Sequence, residues 1–180
     1  VDFNPVPDRF RIVSDAGQNL RVNVDNGATN VDGALNPAPG TGVTGAAYTN
    51  NDADLNTVTV LYDIDTLNDQ LSIQAPPNNG TLNPVGRLTL DGMIANAGLP
   101  TGVDIFSLVK NGTTQTVKAL AAIQLTPGQS RFFQVNLNTG ALKSQGTFAS
   151  QNQVIGIAIP LAQDDDDDDD DDRDGRDGRR

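Results

Sequence analysis

One stretch of the sequence recurs: Leu20-Arg-Val-Asn-Val-Asp-Asn-Gly27 aligns without gaps with Phe133-Gln-Val-Asn-Leu-Asn-Thr-Gly140. Both copies alternate apolar and polar residues and then end at Asn/Asp-x-Gly, the pattern of a half-buried strand that runs into a turn. A weaker third copy is Tyr62-Asp-Ile-Asp-Thr-Leu-Asn-Asp69. The repeat predicts about three copies of one strand–turn–strand unit.

A short strand with small residues or Asp precedes each copy, at residues 1–3, 45–48 and 102–105, and a fourth such strand lies at 156–159. The units are therefore expected near 1–42, 43–100 and 101–160, within a single domain 1–163 that an acidic tail, 164–180, follows. Three to four short strands per unit predict propeller-like blades, with a β-sandwich as the alternative.

Composition supports an all-β fold of about three four-stranded antiparallel units with little or no helix. Glu is absent and Lys is scarce, whereas Asn, Asp and Gly, which favour turns, are abundant. The pattern allows one short helix around residues 93–97. Three blades do not close a propeller ring, and unpaired strand edges tend to pair with other chains. Either the chain lacks an upstream unit, or a neighbouring molecule supplies the missing strands, or the units pack as an open sandwich; the incomplete number of units favours assembly.

The charge of the chain excludes some partners. The net charge is −11. The tail holds 11 Asp and 4 Arg, so it carries −7, and the body carries −4. Phosphate contacts need a basic face, so nucleic acid is not an expected partner. No apolar run is long enough to span a membrane. The absence of Cys does not decide the redox compartment, but a surface poor in Lys and rich in Asn, Thr and Gln suits an extracellular location.

Catalysis has few candidate residues, because His and Cys, the commonest general base and the best nucleophile, are absent. Asp63 and Asp65 lie two residues apart and share one face of a strand, so a carboxylate-based hydrolase is the enzyme class that remains. The same two residues are candidate Ca²⁺ ligands, as are Asn51-Asp-Ala-Asp54. Ordinary turns that Asp and Asn side chains cap are the structural alternative for all of them.

Nine consecutive Asp residues, 164–172, form the sharpest local feature. Their like charges repel and favour disorder, so an ordered tail would need cations, arginines or a neighbouring molecule. Ca²⁺ is the expected cation. Its candidate ligands are Asp164, Asp166, Asp168, Asp170 and Asp172. Two Asn-Gly-Thr sequences, at 79–81 and 111–113, are either turns or N-glycosylation sites.

Four segments resemble bacterial proteins that carry domain of unknown function 4394. They are residues 1–25, 46–51, 61–66 and 76–82. The resemblance implies a secreted or surface protein with propeller-like repeats. It carries over no reaction, ligand or catalytic residue. Members of that family usually have another repeat before the first segment, and the resemblance, which covers roughly residues 1–160, does not extend to the Asp-rich tail.

These observations lead to one expected function and two alternatives. The first is a non-enzymatic extracellular structural protein, a subunit that assembles with copies of itself into a surface filament, fibril or biofilm matrix. The second is a secreted glycan- or Ca²⁺-binding module, whose concave surface would carry Tyr48, Tyr62 or Phe106. The third is the carboxylate-based hydrolase.

Overall fold

The computed structural model describes residues 1–37, 42–110, 113–149 and 153–159. Within these ranges the chain forms strands in three sheets and a single 3₁₀ turn at Pro77–Asn79. The prediction of an all-β protein built from antiparallel units is thereby confirmed. No helix in the described part of the chain could cross a bilayer.

Sheet 1 contains four antiparallel strands in sequence order. They are β1 (Asp2–Asn4), β2 (Arg9–Val13), β3 (Asn19–Asn23) and β4 (Thr29–Val31). The predicted hairpin turn between β2 and β3 forms where the Gly17 N–H donates to the Ser14 carbonyl at 2.9 Å. Gly17 has a φ of 80° there, a left-handed conformation that glycine adopts without strain.

Sheet 2 has the same four-stranded order. Its strands are β5 (Val43–Tyr48), β6 (Leu61–Asp65), β7 (Gln70–Gln74) and β8 (Leu82–Arg87). Sheet 2 is buried on both faces, because it lies between the other two sheets. Ala46, Tyr48 and Leu61 pack towards Val13 of sheet 1. The residues that alternate with them, including Ala47 and Ile64, pack against sheet 3.

Sheet 3 has six strands and curls into half a barrel. The strands are β9 (Thr89–Leu90), β10 (Met93–Ile94), β11 (Gly98–Lys110), β12 (Thr113–Thr126), β13 (Gln129–Val135) and β14 (Ala141–Thr147). The third unit therefore has two more strands than predicted, because residues 89–94 of the expected second unit join it. β9 pairs with β14 in parallel, and β10 pairs with β9. The short helix expected around residues 93–97 is wrong, since Met93 and Ile94 form β10.

The repeat found in the sequence corresponds to equivalent places in sheets 1 and 3. Residues 20–27 begin on β3 and residues 133–140 begin on β13, each the third strand of its four-stranded meander. The weaker copy at 62–69 begins on β6 instead, which is the second strand of sheet 2. The Asn/Asp-x-Gly turn ends in the same way twice, since the Gly27 N–H donates to Asn23 O and the Gly140 N–H to Asn136 O.

The expected fourth strand at residues 156–159 forms no ladder with any described residue, so it is not a strand in the structure. Its position is nonetheless fixed against sheet 3. The Ile159 N–H donates to Asp104 Oδ2 at 2.5 Å, and the Val154 N–H donates to Ser130 Oγ at 3.0 Å. Residues 153–159 therefore lie beside β11 as an extended, unpaired segment.

Candidate functional site

A buried arginine lies at the centre of the contact between sheets 1 and 2. The alternation of β2 turns Arg11 towards sheet 2, where its side chain is only 2% exposed. Its Nη1 donates to Asp32 Oδ2 and to Asn19 Oδ1, each at 2.7 Å. Its Nε donates to Tyr48 Oη, and its Nη2 donates to Asn78 Oδ1. Four of its N–H groups therefore have partners, as a buried guanidinium requires.

A second arginine of sheet 1, Arg21, is also paired with Asp32. Arg21 Nε and Nη2 donate to its two carboxylate oxygens at 2.7 and 2.9 Å, the forked geometry that arginine forms with carboxylates. Despite its burial, the hydrogen bonds and charges of the two arginines hold the pKa of Asp32 below its usual value. Both arginines are thus paired with Asp32 within the described body of the protein.

Asp63, one of the predicted site residues, lies on the same contact between sheets 1 and 2. It is fully buried, and neither of its carboxylate oxygens has a hydrogen-bond partner among the described residues. Burial raises the pKa of Asp63 to about 8, although the positive charge of Arg11 acts to lower it. Burial therefore favours the protonated, neutral form of Asp63.

Asp65 shares the face of β6 with Asp63, as the sequence predicted, but its carboxylate is hydrogen-bonded. Its two oxygens accept from the backbone N–H and the side-chain amide of Asn68, at 2.9 and 2.8 Å. That arrangement caps the turn between β6 and β7. Among the described residues, no group of three or more acidic side chains is arranged to hold a metal ion.

The other Ca²⁺ candidates fall into two groups. In the loop before β6, Asp52 Oδ1 accepts from the Asp54 N–H, and Asp54 Oδ1 accepts from the Asn56 N–H. These are turns capped by Asp side chains, the structural alternative to a Ca²⁺ site. The tail residues Asp164, Asp166, Asp168, Asp170 and Asp172 lie outside the described residues, so Ca²⁺ binding there stays a prediction. The sequon at Asn79 lies in the 3₁₀ turn.

An open groove of about 520 Å³ lies between sheets 2 and 3. Its lining mixes apolar and amide side chains, among them Val60, Tyr62, Val117, Gln134, Leu137 and Asn138. Of the three aromatic residues predicted for a concave surface, Tyr62 alone is in this lining. Tyr48 is buried with Arg11. Phe106 alternates with Ile105 on β11 and so faces the opposite side of sheet 3.

On the side of sheet 1 that points away from sheet 2, the strands β1, β2 and β3 carry five apolar side chains, and we call this surface the outer face of sheet 1. They are Phe3, Phe10, Ile12, Leu20 and Val22. Phe3 and Phe10 are 37% and 40% exposed, and their rings pack edge to face with centroids 5.6 Å apart. Ile12, Leu20 and Val22 are partly buried, and no sheet among the described residues packs on this face.

Strand register shows what this face corresponds to in sheet 3. Asp2 pairs with Arg11 and Asp104 pairs with Leu120, and the repeat aligns Leu20 with Phe133. The equivalents of the five residues are Ile105, Ala119, Ala121, Phe133 and Val135. All five are buried in the main core, where sheet 3 packs against sheet 2. Sheet 1 thus exposes the face that sheet 3 uses to pack on its neighbour.

The fold and these surfaces define an all-β protein of repeated antiparallel sheets packed face to face. The chain belongs to the family described as Domain of unknown function (DUF4394), whose model matches residues 1–158. The resemblance seen in the sequence is thereby confirmed. No curated protein and no solved structure matches the chain.

Sequence reasoning identified Asp63 and Asp65 but missed the network around Arg11. Arg9-Phe10-Arg11-Ile12 alternates like a strand with its arginines in solvent, and a lone sequence favours that interpretation. The apolar residues of β2 instead face outwards and the arginines face sheet 2. Asp32 was the signal in the sequence that could have revealed the network. It is an acidic residue that the pairing of neighbouring strands could bring beside Arg11 and Arg21.

Proposed function

We propose that this protein is a non-enzymatic extracellular structural protein that assembles with copies of itself into a filament or matrix. The observation that carries the proposal is the outer face of sheet 1, which is apolar and half-exposed although its equivalents on sheet 3 are buried. An apolar face that resembles a sheet-packing face, with no sheet of the described residues on it, favours association with a further molecule. The Lys-poor, Asn-rich composition supports the extracellular location.

The apolar side chains on the outer face of sheet 1 determine how much free energy this contact can supply. Fully burying one aromatic side chain contributes about 1.5–3 kcal/mol. Association itself costs roughly 4–15 kcal/mol in lost freedom. Phe3 and Phe10 alone therefore fall short, and the contact has to extend over Ile12, Leu20 and Val22. A sheet laid flat on this face reaches all five side chains.

The geometry of the stack favours a head-to-tail contact between copies. The outer face of sheet 1 lies at one end of the stack. The outward side of sheet 3 lies at the other end, and its apolar residues include Phe106, Leu120 and Phe132. Contacts between two different surfaces repeat from copy to copy, and they give an open filament when the rotation does not close. The acidic tail would add charge pairing, with Ca²⁺ as the expected bridging ion.

The alternatives draw less support from the geometry. A carboxylate-based hydrolase needs two acids in contact with substrate, but Asp63 is sealed in the contact between sheets and Asp65 caps a turn. A glycan-binding module is the second candidate, because the groove between sheets 2 and 3 combines Tyr62 with several amide side chains. A glycan array screened with the purified protein tests it, and an array without binding would end it.

Sedimentation velocity over a wide range of protein concentration, with and without Ca²⁺, tests the proposal. We expect concentration-dependent association, and we expect Phe10→Ser to weaken it about tenfold or more, since the change removes an aromatic side chain from the contact. Leu55→Ser is the matched control, because Leu55 is 83% exposed on the loop before β6. Monomers under every condition, or equal effects of the two substitutions, would contradict the proposal.

A further inference from the structure

Residues 153–159 take the place of a first strand beside sheet 3. Asp2 and Asp104 are equivalent residues of β1 and β11. Asp2 Oδ2 accepts from the N–H of Tyr48, in the first strand of the next sheet, at 2.5 Å. Asp104 Oδ2 accepts from the N–H of Ile159 at the same distance. Ile159 is therefore the counterpart of Tyr48, the last residue of β5.

The sequences agree with that correspondence. Val43-Thr-Gly-Ala-Ala-Tyr48 aligns without gaps with Val154-Ile-Gly-Ile-Ala-Ile159, and Val, Gly and Ala coincide at three positions. The two sequences share a small-residue pattern that lets first strands approach closely.

Close contacts at two glycines independently support the correspondence between this segment and a first strand. A Cβ placed on Gly45 would lie 2.8 Å from Val103 in the first strand of the next sheet. A Cβ placed on Gly102 would lie 2.7 Å from Cα of Gly156. Gly45 and Gly102 are equivalent, and the backbone N of Ile157 lies 2.8 Å from the same Cβ position on Gly102, so the Gly156–Ile157 peptide lies against sheet 3 as Val103 lies against sheet 2. The segment is positioned as the first strand of a fourth sheet.

The second strand of that fourth sheet is missing among the described residues. In every other unit the first strand has an antiparallel partner: β2 beside β1, β6 beside β5 and β12 beside β11. Residues 153–159 have none. The Thr49 N–H donates to Val60 O at the end of β6, and N–H groups two residues apart point to the same side, so the Ala47 N–H faces β6. Its counterpart, the Ala158 N–H, faces the corresponding position, which no described residue occupies; we call it the empty position.

We propose that residues 153–159 are a strand-accepting edge that binds an extended segment of another polypeptide in antiparallel pairing. The added strand takes the position that β6 takes beside β5, over the outward side of sheet 3. Leu120 and Phe132 lie half-buried on that side, so every second side chain of the bound segment is apolar. The other side chains face solvent and are polar. Main-chain hydrogen bonds supply affinity, and the alternation supplies selectivity.

A synthetic peptide with the sequence of residues 8–15, which contains β2 and carries Phe10 and Ile12 on one side of the strand, is the probe for this edge. We expect saturable binding to the full chain and slower hydrogen exchange at the Gly156 and Ala158 amides. Ala158→Pro removes the N–H that faces the empty position and should weaken binding about tenfold or more. Ala158→Val introduces a side chain of about the size of proline but keeps that N–H. This variant should therefore bind the peptide as the parent does.

Two results would overturn the inference: no binding of the peptide to the parent, or equal binding to the parent and to Ala158→Pro. A peptide of the same composition in scrambled order should bind more weakly, and equal binding of the two peptides would also contradict the inference. Because the peptide assay needs no self-association, its outcome is separate from that of the sedimentation experiment on Phe10→Ser.

Discussion

Sheet 2 has two neighbours, and it meets them with opposite chemistry. Towards sheet 3 it presents Ile64 and Leu71, which pack with Phe133 and Ile105 in the largest apolar cluster of the described residues. Towards sheet 1 it presents Tyr48 and Gln74 among a network of amides and arginines. The Gln74 side chain donates to the Pro77 carbonyl at 2.6 Å, which ties the loop after β7 into that network.

The two contacts therefore have different roles: one stabilises the packed sheets, and the other fixes their relative orientation. Apolar burial is roughly proportional to area and has no preferred direction. Hydrogen bonds and ion pairs are directional, and a buried ion pair adds little net stability because desolvation offsets the attraction. We therefore interpret the contact with sheet 3 as the main source of stability. The contact with sheet 1 fixes the angle and position at which that sheet presents its outer face.

The largest effect is expected when the polar contact loses its arginine. Arg11→Met removes four donors and leaves acceptors on Asn19, Asn78 and Asp32 without that partner. Removing one member of a buried pair costs about 3–5 kcal/mol in the free energy of unfolding, and Arg21 keeps the loss at the lower end. Urea unfolding measures it. Arg9→Met is the control and should change little, because within the described residues the Arg9 side chain donates to the neighbouring Asp8 carbonyl and forms no ion pair.

A smaller effect should follow from pH. The folded-state pKa of Asp63 is about 8, above the ordinary value of 3.8, so the folded protein holds this proton more tightly than the unfolded chain. Stability from this residue is complete below pH 4 and is lost as pH rises towards 8. Asp63→Asn should remove that loss. One pKa unit corresponds to ~1.4 kcal/mol. The free energy of unfolding should therefore fall with rising pH by more in the parent than in Asp63→Asn, and the two falls should differ by more than that value.

The pH range of the measurement matters, because Asp2 acts in the same direction. Burial raises the pKa of Asp2 to about 6, so its contribution is lost between pH 4 and 6. Urea unfolding between pH 6.5 and 9 therefore isolates Asp63. Asp15→Asn, in the exposed turn after β2, serves as the control. A parent protein whose stability does not fall over that range would contradict the assignment of Asp63 as a neutral acid.

Sequence periodicity predicted the strands well because each alternates and then meets a turn residue, as at Gly17 and Gly27. It could not predict how the sheets share their strands. β9 and β10 join sheet 3 through contacts with β14, about 50 residues later in the chain, and no local pattern records such a pairing. It also placed Asp63 correctly on one face with Asp65 but could not tell their environments apart, because burial depends on which sheet covers that face.

The smallest effect concerns Asp2 and Asp104, the equivalent aspartates of β1 and β11. Asp2→Ala removes a bond between sheets 1 and 2 and should lower the free energy of unfolding by about 1 kcal/mol. Asp104→Ala removes the equivalent bond to Ile159, but that segment has no ladder, so global stability should hardly change. Hydrogen exchange at Ile159 should instead become faster. If Asp104→Ala destabilised the whole protein as much as Asp2→Ala, residues 153–159 would belong to the cooperative core, and an unpaired edge awaiting a strand would be the wrong description of them.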